Sequence, residues 1–194
     1  MARAQEEFYS GDSVHEIRIY FEESNWDAIL DSLYVLGDEQ RMLGRITIDG
    51  YAYDSVGIRY KGFSSVSVNR TKNPFNIKLD YTISGQNHQG FDKVKLSNVI
   101  QDPSFVREVL SYEIARKYLP SPRANFANVY VNDTLFGLYT NVEAINKDFI
   151  SKHYSSRDQA FFKCNPEHLN LNGENSNLGT SPGKDTSDYY PYYD

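Results

Sequence analysis

The stretch RMLGRITIDGYAYDSVGIRYKG, residues 41–62, carries the clearest signal for the fold. Apolar residues alternate with polar ones on both sides of Asp49-Gly50, which is the pattern of half-buried β-strands. Asp-Gly is favoured in two-residue hairpin turns because such turns need backbone conformations that these residues adopt readily. The stretch therefore predicts two antiparallel strands joined at Asp49-Gly50.

Further strands are predicted on both sides of this hairpin. They are SVHEIRIYF (13–21), NPFNIKLDY (73–81), KVKLSNV (93–99) and a short QAFFK strand (159–163). A second hairpin, FANVYVNDTLFGLYTNVEAI (126–145), is predicted to turn near Asn132-Asp133. Strands thus make up most of the predicted elements.

Three helices interrupt the strands. The first lies in ESNWDAILDSLYVLG (23–37), with Asn25 as its N-cap and Gly37 at its end. The second lies in QDPSFVREVLSYEIARKYL (101–119), capped by Asp102, and KDFISKHY (147–154) is the third. The second helix is predicted to bury an apolar stripe of Val106, Val109, Leu110 and Ile114. This order predicts an α+β fold, with a mainly antiparallel sheet and inserted helices.

The 194 residues suit one main domain, predicted over 13–164. Residues 1–12 precede it, and MARAQEEF leaves two interpretations open: a signal-peptide remnant or a disordered start. A remnant would mean that the protein is exported. Residues 165–194 are rich in Tyr, Asn and Gly without periodicity, and are predicted to be a polar loop.

Composition excludes several classes of protein. The net charge of −6 argues against a general nucleic-acid binder, so any basic site must be local. The single cysteine, Cys164, allows no intramolecular disulfide, and four scattered histidines predict no metal site. No apolar run is long enough for a membrane span. GTSPGKDT (179–186) has the wrong spacing for a P-loop.

Three cations are candidates for a phosphate site. Arg59 and Lys61 lie two residues apart on one strand and therefore share a face, and Lys78 lies on the polar face of a later strand. If these strands pair, the three side chains converge. The alternative is a solvated sheet face with salt bridges to Asp80 and Glu143.

Several segments together resemble the spore coat protein H family, the CotH-type kinases. They are VGIRYKGFSS (56–65), KNPFNIKLDY (72–81), residues 102–150 and FFKCN (161–165). These motifs occur in the family's order, and the resemblance covers roughly residues 40–165.

The resemblance implies the first portion of an atypical protein-kinase-like fold. It also implies an activity of the complete protein, the transfer of phosphate from ATP, with Mg²⁺, to serines of secreted or coat proteins. It implies an extracellular or cell-surface location. Arg59, Lys61 and Lys78 then become candidates for the phosphate side of the cofactor site. Glu108 or Glu113 would be the helix partner of a phosphate-binding lysine, and Glu143 would lie at the junction of two lobes.

The sequence also departs from the family. The family's catalytic and metal-binding aspartates lie near N-Y-Y-L-Y and P-W-D-x-D segments, and neither segment is present. The catalytic residues are therefore unknown. We expect this chain to be a fragment that is inactive without a C-terminal lobe of the same protein. Two other functions stay open: a noncatalytic binding or structural module of a cell surface or spore coat, and a carbohydrate-active enzyme.

Overall fold

The computed structural model describes residues 8–37, 39–62 and 64–154. The described residues up to Phe149 form one compact unit; of a second unit, only residues 150–154 are described. The strands in the described residues are β1 (Val14–Tyr20), β2 (Met42–Ile48), β3 (Tyr51–Tyr60), β4 (Phe75–Lys78), β5 (Lys93–Ser97), β6 (Ala124–Val131) and β7 (Thr134–Val142). The helices are α1 (Trp26–Leu36), α2 (Arg107–Ala115) and α3 (Lys147–Tyr154).

The seven strands close into one barrel in the order β1-β2-β3-β4-β5-β7-β6. Six pairs are antiparallel, whereas β1 and β6 are parallel, with Val14 opposite Phe126 and Ile19 opposite Val131. The prediction of an α+β fold with a mainly antiparallel sheet, like the first portion of a kinase, is therefore wrong. Local periodicity could not reveal the closure, because β1 and β6 lie about a hundred residues apart in the chain.

Both predicted hairpins are confirmed. Asp49 and Gly50 join β2 to β3 with φ angles of 49° and 85°, which are the left-handed conformations that this turn requires. Asn132 and Asp133 join β6 to β7 in the same region, at 45° and 64°.

The core fills the barrel. Alternate residues of the strands point inward, and those that are completely buried include Ile17, Ile46, Ile58, Phe75, Ile77, Val94, Leu96, Ala127, Val129 and Tyr139. The helix α1 packs beside β3 and ends at Gly37 as predicted, in the left-handed conformation. Asn25 stands at its N-cap position, but its side chain makes no capping hydrogen bond.

Helix α2 differs from its prediction. It begins at Arg107, later than expected, although the Asp102 carboxylate still accepts the Arg107 N–H at 2.8 Å. Val106, Leu110 and Ile114 are each about half exposed, so the prediction of a buried stripe is wrong. The strands already enclose their own core, and α2 lies outside it beside β6.

The predicted domain bounds stay a prediction. Phe8 and Tyr9 belong to the predicted 1–12 start segment, and both are buried in the core. The predicted strand at 159–163, Cys164 and the 165–194 loop lie outside the described residues. In the described part of the chain, no helix is long and apolar enough to cross a membrane.

Candidate functional site

Lys61, Ser97 and Glu108 form a chain of hydrogen bonds on the outside of the barrel. The Lys61 ammonium donates to Ser97 Oγ at 3.0 Å, and Ser97 Oγ donates to Glu108 Oε1 at 3.3 Å. Burial lowers the pKa of the Lys61 ammonium, and the Glu108 carboxylate opposes this shift. Burial raises the pKa of Glu108, which Lys61 and Ser97 in turn oppose. The ammonium and the carboxylate are therefore half-buried and held together through one hydroxyl.

Three separate elements bring these side chains together. Lys61 directly follows β3, and its N–H bonds to the Pro74 carbonyl just before β4. Ser97 is the last residue of β5, where it faces outward because Leu96 faces the core. Glu108 lies in the first turn of α2, whose start is fixed by the Asp102 carboxylate.

A cleft of about 450 Å³ opens beside Ser97 and Glu108. Residues 64–65, 97–102 and 107–108 line it. Asn98, which is 5 % exposed, donates through Nδ2 to the carbonyls of Ser65 (3.0 Å) and Lys72 (2.9 Å). Asn98 thereby holds the turn that contains Ser64 and Ser65 next to β5 at the edge of the cleft.

The backbone around the cleft adopts unusual conformations. Gly62 has a φ of 98°, and a Cβ at this position would lie 2.3 Å from Ser65 Oγ. Val99 and Phe105 have φ angles of 55° and 63°, which non-glycine residues seldom adopt. Such strained conformations persist only where the surrounding contacts maintain them. They occur often at binding and catalytic sites.

Arg59 and Lys78 lie on the same outward face but are bound to other carboxylates. Arg59 Nη2 donates to Glu39 Oε1 at 2.5 Å, and Lys78 Nζ lies 3.7 Å from Asp80 Oδ1. In the strand register Lys78 stands opposite Gly57, one row away from Arg59. The ion pair of Lys78 with Asp80 was the alternative expected from the sequence. The assignment of Arg59 and Lys78 to a cofactor stays a prediction.

The three candidate glutamates have different surroundings. Glu108 is linked to the Lys61 ammonium through the hydroxyl of Ser97, whereas Glu113 is exposed on α2. Glu143 is buried at 5 % exposure, and its carboxylate accepts hydrogen bonds from Arg123. Of the three, the structure brings Glu108 to a candidate lysine.

Sequence reasoning missed Ser97, Asn98 and Lys72. Lys72 Nζ donates to the Leu138 carbonyl at 3.1 Å and lies over the rings of Phe105 and Tyr139, 5.4 and 5.0 Å from their centres. Ser97 stood at an outward position of a predicted strand, which was its one available signal. Nothing in the local pattern distinguishes these side chains from ordinary surface residues.

The described residues do not form a metal site. No group of three or more His, Cys, Asp or Glu side chains among them could hold a metal ion. What the Lys61–Ser97–Glu108 group does offer is a cation, the Lys61 ammonium, which could bind an anionic ligand.

The sequence model for the CotH kinase protein matches residues 58–194, which is more than half of the chain. The chain belongs to the CotH kinase protein family. The resemblance found in the motifs is thereby confirmed, and the match includes all six candidate site residues. In this CotH-family chain, the Lys61–Ser97–Glu108 group is the arrangement that joins a candidate lysine to a candidate glutamate. No curated protein matches the chain.

Proposed function

We propose that the cleft beside Lys61 binds the phosphates of ATP and that the domain serves phosphoryl transfer to serines of exported proteins. The observation that carries this proposal is the hydrogen-bonded chain of Lys61, Ser97 and Glu108 at the cleft. Protein kinases hold a phosphate-binding lysine with a glutamate from a helix, and Glu108 lies on α2. The support comes from the chemistry of the site and from the family, independently of the barrel fold.

The Lys61 ammonium borders the cleft rather than lining it, since it donates to the lining residue Ser97. The Lys61 ammonium has three donors, and Ser97 takes one of them, which leaves donors for phosphate oxygens. Glu108, held through Ser97, keeps the ammonium in place and favours its charged form. ATP would supply the transferred phosphoryl group. The described residues contain no cluster of three or more metal-binding side chains, so we assign to them the phosphate-binding part of the proposed site.

The test uses binding of ATP with Mg²⁺, measured by isothermal titration calorimetry. We expect Lys61→Ala to weaken binding at least about tenfold, since a charge-assisted contact to phosphate contributes roughly 1.5–3 kcal/mol. Lys117→Ala is the matched control, because Lys117 is an exposed lysine in the turn that follows α2. Glu108→Gln and Glu113→Gln form a second matched pair, of which the first alone is expected to weaken binding. Wild-type protein that binds no ATP would refute the proposal.

A noncatalytic binding module is the second candidate. The exposed apolar side chains on α2 and next to its two ends favour it: Val106, Leu110, Ile114, Tyr118 and Leu119. Contiguous exposed apolar residues mark many protein-interaction surfaces. Two results together would favour this candidate over the kinase. The wild-type chain would bind a coat or surface protein but no ATP, and Leu110→Asp would abolish the binding to that protein.

A further inference from the structure

Residues 8–10 close the end of the barrel at which β1, β3 and β6 begin. The Phe8 side chain is completely buried. Its N–H donates to Gln89 Oε1 at 3.0 Å, and Asn125 Nδ2 donates to the carbonyls of Phe8 and Ser10, each at 2.9 Å. Three hydrogen bonds and one buried ring therefore hold this segment, which we call the strap.

Two buried histidines lie against the Phe8 ring. The ring centre of His15 lies 5.4 Å from that of Phe8, and the ring centre of His88 lies 4.6 Å away. His15 Nδ1 is 2.6 Å from Asp49 Oδ2, and His88 Nδ1 is 2.7 Å from the Tyr53 hydroxyl. The other ring nitrogen of each histidine is buried and has no hydrogen-bond partner among the described residues.

We propose that the strap is a pH-sensitive closure, which seals the barrel end while His88 is neutral and opens when His88 takes up a proton. A protonated imidazole carries an N–H on both ring nitrogens. In the protonated ring Nδ1–H can donate to the Tyr53 hydroxyl, but the N–H at Nε2 would be buried without an acceptor among the described residues. Burying an unpaired charged donor is costly, and opening the strap would let water reach it.

The surrounding charges relieve this cost only in part. Burial lowers the pKa of His88 to about 4; the Asp49 carboxylate opposes that shift and His15 adds to it. Asp49 is already occupied, because its second oxygen accepts the Glu16 N–H at 2.8 Å. The other titratable or charged groups that face His88 or the strap are Tyr51, Tyr53, Tyr9, Asp92, Arg123 and Glu143. Arg123 and Glu143 are paired with each other.

The sign of the effect follows from proton linkage. In the open form His88 meets water and recovers the ordinary pKa of about 6.5, so the open form binds the proton more tightly. The stability of the closed form relative to the open form is fully present above that pH and is lost progressively as the pH falls towards 4. Between pH 7 and pH 5 the ratio of open to closed protein is expected to rise roughly 20-fold.

The experiment measures hydrogen exchange of the Phe8 amide by NMR at pH 7 and pH 5, corrected for the intrinsic effect of pH. We expect protection at Phe8 to fall roughly 20-fold while the β1 and β6 amides of Ile17 and Val129 stay protected. In His88→Gln the fall should disappear. In His153→Gln, which changes an exposed histidine, it should remain. Equal protection at both pH values, or an equal fall in His88→Gln, would overturn the proposal.

A second measurement serves if His88→Gln does not fold. In the wild-type protein, the ring resonances of His88 and Phe8 are followed through the same pH titration. The proposal requires both to change with one midpoint while the strand resonances stay native. Separate midpoints, or a Phe8 ring that stays unchanged while His88 titrates, would overturn it.

Discussion

Arg123 and Glu143 bind each other through both main chain and side chain. Glu143 Oε2 accepts the Arg123 N–H at 3.0 Å and the guanidinium Nε at 3.1 Å, while Oε1 accepts Nη2 at 2.9 Å. The Glu143 N–H returns a bond to the Arg123 carbonyl at 2.9 Å. The guanidinium also lies over the rings of Tyr9 and Phe91, 5.2 Å from each ring centre. This buried pair fixes the start of β6 to the end of β7.

Glu143→Ala should therefore destabilise the fold rather than alter the phosphate site. Removing one partner of a buried ion pair leaves the other charge unpaired and costs about 3–5 kcal/mol. Urea unfolding measures this loss. Glu143→Gln keeps an acceptor oxygen and should cost less. A Glu143→Gln chain that unfolds like the wild type but loses ATP binding would instead support the cofactor role predicted from the sequence.

Gly62→Ala should weaken the turn beside Lys61. The backbone at Gly62 has a φ of 98°, and the added Cβ would lie 2.3 Å from Ser65 Oγ. Residues forced into such conformations cost about 1–3 kcal/mol, and the Ser65 hydroxyl must also move away. Urea unfolding and ATP titration should both show a loss. Gly11→Ala is the control, because a Cβ there meets no atom within 4 Å; equal effects of the two changes would contradict the prediction.

Ser97→Ala should separate Lys61 from Glu108. Both charged groups lose their shared hydrogen-bond partner, and we expect a loss of about 1–3 kcal/mol in the free energy of unfolding. Ser64→Ala changes an exposed serine of the same cleft and should leave stability nearly unchanged. Chemical denaturation compares the two variants. If Ser97→Ala proves as stable as Ser64→Ala, the hydroxyl does not hold the pair together.

Tyr60→Phe should loosen the contact between α1 and β3. The Tyr60 hydroxyl donates to Asp27 Oδ1 at 2.5 Å, and the side chain is 1 % exposed. Burial raises the pKa of Tyr60, and the bond to Asp27 raises it further, so the hydroxyl stays protonated. Loss of a hydrogen bond to a carboxylate costs about 1–3 kcal/mol. Thermal unfolding should show this loss for Tyr60→Phe but not for Tyr118→Phe, whose side chain is 82 % exposed.

The candidate site was predictable in part. Lys61 and Glu108 were both candidates from the order of motifs, yet the sequence left Glu108 and Glu113 as alternatives. The choice depends on which face of α2 turns toward β5, and that face follows from packing rather than from residue type. For the same reason Ser97, the bridge between the two charges, carried only the weak signal of an outward position on a predicted strand.

The sequence by itself determined the local elements: the turns at Asp49-Gly50 and Asn132-Asp133, the end of α1 at Gly37 and the set of motifs that marks the family. These features depend on backbone preferences and on alternation over a few residues, which neighbouring residues encode. The tertiary structure alone decided that β1 pairs in parallel with β6, that α2 lies outside the core and that Phe8 closes the barrel end. These features join parts of the chain that are distant in sequence. They are therefore set by strand register and by which surfaces can be buried together, which no local pattern records.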